Sequence, residues 1–382
     1  MKILILTPRF PLPTYKGDKL RAWQMIRMLA TEHEVKLVSY ISKSETAHIN
    51  EVSQYCDIKT VPDNVPDRYF ELLRGIGNGV PFQVNYYNSG RMRELVSSAL
   101  HDVDAVHLLT IRAAGNVPTN FHGRLVVDFV DAFSLNFRRQ CDNARTPLKY
   151  IYKLEFERLK RFERIMAERA DLALAISPVD AEALGPKTMV IPNSVDLDKF
   201  HPPDESSPRQ NIIFTGNLGY IANIEAVETM ALHAMPIIAS KYPEVKLRVV
   251  GINPHPRVKS LESSSIEVVG YVESVADELR KATVAVAPMV SGAGLQNKVL
   301  EAMGCATPVV STSIGNAGIR AENYKEILIG DTPAEFAEHG INLLKDEAKA
   351  REIGRAGRAF VEANFGWEST TEKLLSLYNE II

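Results

Sequence analysis

Short apolar runs recur between longer amphipathic segments, and the whole pattern starts again after one proline-rich gap. Runs of this length, bounded by turn residues and followed by helix-period segments, predict parallel strands buried between layers of helices. In the first half the strand candidates are Lys2–Thr7, Val35–Tyr40, Ala105–Leu109, Leu125–Phe129 and Leu172–Ile176, with helices expected over Lys19–Thr31, Arg91–Leu100 and Pro147–Arg169. After Pro192 comes NSVDLDKFHPPDESSPRQ, rich in Pro, Ser and Asp and poor in helical period, which reads as a linker. The pattern then resumes with strands at Asn211–Thr215, Lys246–Val250, Ile266–Val269, Val284–Ala287, Pro308–Ser311 and Ile327–Ile329. Helices are expected there over Ile224–Lys241, Val275–Lys281, Leu295–Met303, Ala334–Lys345 and Ala348–Ala363. The expected fold is α/β, with two doubly wound Rossmann-like domains at 1–188 and 189–366 and ligand loops at the carboxyl ends of the strands. The amphipathic segment Trp367–Ile382 is expected to pack back on the first domain; period alone equally allows a terminal helix of the second.

A chain of 382 residues exceeds what one core usually supports, which agrees with two domains. Lys and Arg total 44 against 47 Asp and Glu, a net charge of −3, so no basic field recommends nucleic acid as a partner. Cys56, Cys141 and Cys305 lie far apart without CxxC spacing, which indicates neither a zinc site nor a disulfide framework and fits a reducing cytoplasm. The N-terminal MKILILTPRF is too short an apolar run for a signal peptide, and no apolar stretch of about 18 residues appears. Any membrane contact is therefore expected to be peripheral, at the inner face.

Residues 291 to 305, SGAGLQNKVLEAMGC, run a glycine-paired loop into a helix. Gly292 and Gly294 allow backbone amides to approach a ligand, and a helix beginning near Leu295 offers unpaired amides and a positive dipole end to an anion. Lys298 falls in the first turn, where a cation is unfavourable unless something negative lies before it. Glu301, three residues on, shares that face and can accept hydrogen bonds from ribose hydroxyls; the bland alternative is a Lys298–Glu301 surface pair.

The first strand ends in TPRFPLPTYKGDKLR, a proline-stiffened loop that opens a helix. Gly17 permits close backbone approach, Asp18 can cap the helix, and Arg21 is again a cation in a first turn. Phe214–Gly219 (FTGNLG) holds the corresponding place in the second half, where Gly216 admits a phosphate and Asn217 can donate an amide to it. Neither GxGxxG nor GxxxxGK[ST] occurs, which disfavours a dinucleotide cofactor or a P-loop. In LVVDFVDAFS, Asp128 and Asp131 stand at a strand end; Asp131 is a candidate catalytic carboxylate or a cap of the next turn. His107 reads as a core histidine, and Asp196–Leu197–Asp198 as a turn feature of the linker, so no metal dependence is expected. The segment KYIYKLEFERLKRFERIMAERAD mixes cations with aromatics and suits either an anionic bilayer or, the expected case, a solvated helix with an aromatic core stripe.

With these parts in order, the chain resembles retaining glycosyltransferases of family four, which have the GT-B fold of two Rossmann-like domains facing a cleft. The resemblance covers essentially the whole chain. It rests on PRFPLPTYKGDKLR, AISPVDAEAL, VIPNSVDLDKF, IIFTGNLGYIANIEAV, VVGYVES and GAGLQNKVLEAMGCATPVVST. GDKLRAW, VDFVDAFS and GLQNKVLEAM look like a bacterial subgroup associated with exopolysaccharide loci. The resemblance implies metal-independent transfer of a sugar from a UDP- or GDP-sugar, with no cofactor, to a carbohydrate or lipid-linked acceptor. By position it implies that Gly17 and Gly216 approach the donor diphosphate, that Lys298 with Gly292, Ala293, Gly294, Leu295 and Asn297 holds its charge, that Glu301 binds ribose, and that Tyr271 and Val272 meet the base. The family usually has Glu where this chain has Ala293, commonly His where it has Val130, and a basic pair near Gly219 that is absent here. These departures leave a sugar-nucleotide epimerase of the same architecture, or a non-catalytic binding protein, as the alternatives, and they shift phosphate charge onto Arg21 and Lys298.

Overall fold

The apolar runs form two parallel sheets in a computed structural model that describes residues 1–143, 147–204, 209–291 and 294–381. The first sheet contains β1 (Lys2–Thr7), β2 (Glu34–Ile41), β3 (Asp57–Pro62), β4 (Ala105–Leu109), β5 (Arg124–Asp128), β6 (Leu172–Ala175) and β7 (Thr188–Val190), in the order β3-β2-β1-β4-β5-β6-β7. Its centre is the KILILT strand, whose Ile3 lies between Val35 and Ala105 with no exposure of its own. The second sheet holds β8 (Ile212–Thr215), β9 (Leu247–Val250), β10 (Ile266–Gly270), β11 (Val284–Ala287), β12 (Val309–Ser311) and β13 (Leu328–Ile329), ordered β10-β9-β8-β11-β12-β13. In each sheet the winding reverses beside the first strand, between β1 and β4 and between β8 and β11. Crevices at such reversals, at the carboxyl ends of the strands, are where open α/β sheets hold ligands.

The chain separates into two compact units, Met1–Asn193 with Thr371–Ile382, and Ser194–Thr370. The terminal helix Trp367–Ile381 thus supplies its last turns to the first unit, where Tyr378 is fully buried and stacks on His107.

Several elements differ from expectation for local reasons. The edge strands β3 and β7 were not foreseen: DIKTVP and TMV are largely half-exposed, so no unbroken apolar run marks them. The first helix opens at Gly17, not Lys19, and the glycine-loop helix opens at Asn297, not Leu295. The expected single helix over Ile224–Lys241 is three pieces, Ile221–Thr229, a π-helical Met230–Ala234 and Met235–Ala239. Pro236 has no amide to continue an α-helical ladder, and a π turn ahead of it absorbs the break. Among the described residues no helix is long and apolar enough to cross a membrane.

Candidate functional site

In the second unit, the loop after β8 and the helix after β11 meet at the winding reversal. Asn297–Gly304 begins with Gln296 at its N-cap and no side-chain cap, so its leading amides remain available to an anion. Lys298 lies in that first turn and is recessed. Its Nζ donates to Asn223 Oδ1 at 2.5 Å, lies 3.4 Å from Met289 Sδ, and sits over the Phe214 ring at 4.7 Å from the centroid. Asn223, on the helix Ile221–Thr229, donates in turn to the Asn217 carbonyl at 2.9 Å. The Gly216–Asn217 loop and Lys298 are therefore coupled through one amide side chain.

Among the described residues none of the Lys298 contacts is a carboxylate. Burial pushes its ammonium down to about 7, opposed only by the charge of Glu301. Burial raises the Glu301 carboxyl to about 7 against the pull of Lys199 and Lys298, and no hydrogen bond satisfies it among the described residues. A recessed cation and a recessed carboxyl one turn apart, both short of partners, suit a ligand that is anionic at one end and rich in hydroxyls at the other.

The glycines of this crevice are steric requirements. A Cβ on Gly216 would stand 2.9 Å from Asn223 Nδ2, and one on Gly251 would stand 1.6 Å from the Gly216 carbonyl oxygen. Tyr271, 71% exposed, follows Gly270, whose φ of +77° turns the chain at the end of β10, with Val272 beside it half-buried. Gly294 is half-buried and Leu295 buried ahead of the helix. Gly292 and Ala293 lie outside the described residues. Asp196 Oδ1 accepts from the Lys199 amide at 3.0 Å, which makes the first acid of the DxD spacing a turn cap.

In the first unit the sequence candidates are placed differently. Arg21 is wholly buried: Nε donates to Asp128 Oδ2 at 2.7 Å and Nη1 to the Pro192 carbonyl at 3.0 Å. This corrects its reading as a cation for phosphate, because Asp128 supplies the negative charge that its first-turn position demands. Asp18 is not the cap of its helix. Lys16 holds that place, and Asp18 pairs with Arg9 at 2.6 Å, with Arg112 3.9 Å away. Gly17 is open, with nothing within 4 Å of an added Cβ. His107 is buried between Tyr378 OH at 2.6 Å and Asp128 at 3.6 Å, a core histidine.

Asp131 follows Val130, whose φ of +65° is strained for a β-branched residue. The amide of Val130 donates to Asp128 Oδ1 at 3.0 Å, and the next turn is gripped by Asp180 on the Ala132 amide and Glu163 on the Ser134 amide. Burial, then the neighbouring charge of Asp180, pushes Asp131 up to about 7, with Arg112 opposing. The carboxyl of Asp131 is thus held well above the usual carboxylate range, and no hydrogen bond to it is made among the described residues.

Sequence reasoning missed Asn223, Phe214, Met289, Arg9 and Arg112. It also missed Glu225, which accepts from Ser291 Oγ at 2.9 Å and ties the glycine loop to the neighbouring helix. Asn223 and Glu225 stand in YIANIEAV, two polar residues in an otherwise apolar run, and that was the available signal.

Residues 209–346 match the family described as glycosyl transferases group 1. An uncharacterized 44.6 kDa protein in the cps region of Klebsiella pneumoniae is 23% identical over 95% of this chain and 96% of its own. The GDP-mannose-dependent monoacylated alpha-(1-6)-phosphatidylinositol monomannoside mannosyltransferase of Corynebacterium glutamicum is 27% identical over 49% of this chain, which spans about half (55%) of that enzyme's length. Among solved structures, sucrose-phosphate synthase of Thermosynechococcus elongatus superposes with a TM-score of 0.77 at 17% identity, covering 100% of this chain and 98% of that one. The Anabaena protein HepE in complex with UDP gives 0.72 at 14% identity, covering 100% of both chains. The fold is GT-B, and the matches together support a glycosyltransferase similar to family four.

Proposed function

We propose that this protein transfers a sugar from a UDP- or GDP-sugar to a carbohydrate or lipid-linked acceptor, with retention of anomeric configuration, in the building of a bacterial exopolysaccharide. The carrying observation is Lys298: a recessed ammonium with no carboxylate partner among the described residues, in the first turn of a helix without a side-chain cap, at the winding reversal of the second sheet. A diphosphate placed there receives both the lysine charge and the helix amides, and its departure is favoured because those groups are already oriented before charge develops. Gly216 and Asn217 approach the same group, Glu301 takes the ribose hydroxyls, and Tyr271 with Val272 flanks the base. The acceptor proton passes to the departing phosphate oxygen, so no strong protein base is required. In this reading Asp131, whose carboxyl burial holds well above the usual range, is the first unit's contribution and holds a hydroxyl of the acceptor.

The known proteins support this reading in kind. One solved neighbour holds UDP, one relative uses GDP-mannose, and the relative spanning nearly the whole chain comes from a cps region. Lys298 and the helix amides neutralise the diphosphate without a divalent ion, so transfer proceeds in the presence of chelator. Three free thiols, Cys56, Cys141 and Cys305, fit work in the reducing cytoplasm.

The test is incubation with a panel of nucleotide sugars, with and without acceptor, in buffer containing EDTA. Nucleoside diphosphate release that requires acceptor supports transfer. Sugar conversion without acceptor would make the protein an epimerase, binding without turnover would make it a scaffold, and activity that returns only with added metal would overturn metal independence.

A further inference from the structure

The first sheet reverses its winding between β1 and β4, and the residues just past β4 repeat the arrangement found around Lys298. Arg112, in the short helix Ile111–Asn116, donates through Nε to Gln83 Oε1 at 3.0 Å and lies over the Phe133 ring at 4.4 Å from the centroid. Lys298 is held in the same manner, by the amide oxygen of Asn223 and the ring of Phe214. In each unit a cation at the reversal is gripped by an amide side chain and an aromatic face, which orient it without neutralising it. Gln83 is itself anchored, since its backbone amide donates to Glu155 Oε1 at 3.0 Å.

Neither terminal nitrogen of Arg112 makes a hydrogen bond among the described residues. The carboxylate within ion-pair distance, Asp18, is 3.9 Å from Nη1 and is already bound to Arg9 at 2.6 Å. Lys16 adds a third cation, its ammonium pushed down by burial and then by the charge of Arg9. Asp131 stands in the same crevice: after burial, its carboxyl feels Asp180, Arg112 and Asp18 in turn. Asp180 and Glu163 are taken up by the Ala132 and Ser134 amides, with Arg139 acting on Asp180. Even with Asp131 counted as charged, Arg9, Lys16 and Arg112 outnumber Asp18 and Asp131. The space before them is open, since a Cβ added to Gly17 meets nothing within 4 Å and the helix Gly17–Leu29 starts without a side-chain cap. Thr110 and Val130, just past β4 and β5, hold φ of +61° and +65°, backbone strain of the kind that gathers at ligand sites.

We propose that this crevice of the first unit binds an anionic group of the acceptor, a carboxylate or a phosphate, on Arg112 with Arg9 and Lys16. Naming that molecule the acceptor rests on the transferase reading, in which the donor diphosphate belongs to Lys298 in the second unit. A guanidinium fixed through Nε presents its two terminal nitrogens as the fork that pairs with two oxygens of either group. A neutral acceptor would strip water from these cations and return no charge to them, a cost that an anion removes.

The full chain is titrated with glucuronic acid, glucose 6-phosphate and glucose by ligand-observed NMR, without nucleotide sugar. It carries Lys298→Met, so that the second unit's cation does not capture the probe. At least one anionic sugar should bind roughly tenfold or more tightly than glucose, and Arg112→Gln should remove that preference. A preference for glucuronic acid alone identifies the group as a carboxylate, and one for glucose 6-phosphate alone as a phosphate. Lys16→Gln, at an exposed position, should reduce the preference by roughly threefold. Equal affinity for the three sugars, no binding of any, or a preference that survives Arg112→Gln would overturn the proposal. Should Arg112→Gln melt early, an undiminished preference in Lys16→Gln overturns it instead. In the transfer assay, nucleoside diphosphate release driven as well by neutral as by anionic sugars would remove this proposal and leave the transferase reading standing. Anion binding that depends on Arg112, in a protein without turnover, would keep the site and sink the transferase reading.

Discussion

At the scale of single residues, Lys298 is the group whose state must change when a ligand arrives. Its ammonium is pushed down from 10.5 to about 7 by burial, so at pH 8 most molecules hold it neutral. A diphosphate beside it favours the charged form, and binding should therefore take up a proton. Calorimetric titration with UDP or GDP at pH 8, in buffers of different ionisation enthalpy, should show this uptake, and Lys298→Met should abolish it. Equal heats in every buffer would remove Lys298 from the diphosphate. The linkage to stability follows the same sign. Between about pH 7 and the unfolded value of 10.5 the unfolded chain binds more protons, so stability rises with pH through that window and the cost is fully present below it. Melting temperatures of Lys298→Met should lack this rise. Lys298→Ala should in addition lower turnover by roughly an order of magnitude or more, the scale of one preorganised charge at a leaving group. Lys298 was legible in sequence because a glycine pair and a helix start frame it. Its bond to Asn223 was not, since 75 positions separate the two and only the fold brings them together. Arg21 shows the opposite failure: a first-turn cation reads the same whether its anion is a ligand or, as here, a buried aspartate.

At the scale of elements, the crevice depends on how closely two backbones approach. Gly251 ends β9 directly against the Gly216 loop, so a methyl group added there meets the carbonyl oxygen of Gly216 at 1.6 Å and the loop must move. Gly251→Ala should cost about 1–3 kcal/mol in urea denaturation and weaken nucleoside diphosphate binding as well. Gly17 makes the contrasting case. Its added Cβ meets nothing, so Gly17→Ala at the first helical position should leave stability equal or raise it by about 0.4–1 kcal/mol. If Gly17 serves a ligand, the same variant should lose activity while its melting temperature holds; full activity would make it an ordinary helix start. The sequence distinguished neither case, because a glycine looks alike whether the space before it is filled by protein or left open. The central strands were legible for the converse reason: LVV of β5 and ILIL of β1 are apolar on both faces, which a covered parallel sheet explains. The edge strands were not, since each puts mixed residues where a neighbour covers only one side.

At the scale of the whole molecule, the restart of the strand pattern after Pro192 made two sheets legible, whereas helical period could not say which unit covers the terminal helix. Period shows that a face exists; only a partner identifies it. That partner is a buried polar chain in the first unit, running from Tyr378 through His107 to Asp128 and Arg21, every member without exposure. Buried polar groups of this kind are stable only while each keeps its partner, so the terminal helix is held by chemistry as well as by packing. Tyr378→Phe removes one hydroxyl and leaves His107 Nδ1 facing an apolar edge, which should cost about 1–3 kcal/mol. Tyr378→Ala also leaves a cavity and should cost about 3–5 kcal/mol. Hydrogen exchange measured by mass spectrometry separates this from a general loss of stability. Faster exchange should appear in peptides of β1, β4 and β5 and in the terminal helix, while peptides of β8 and β11 keep their wild-type protection. Uniform acceleration across both sheets would show that the terminal helix supports the whole chain as one cooperative unit and would sink its assignment to the first.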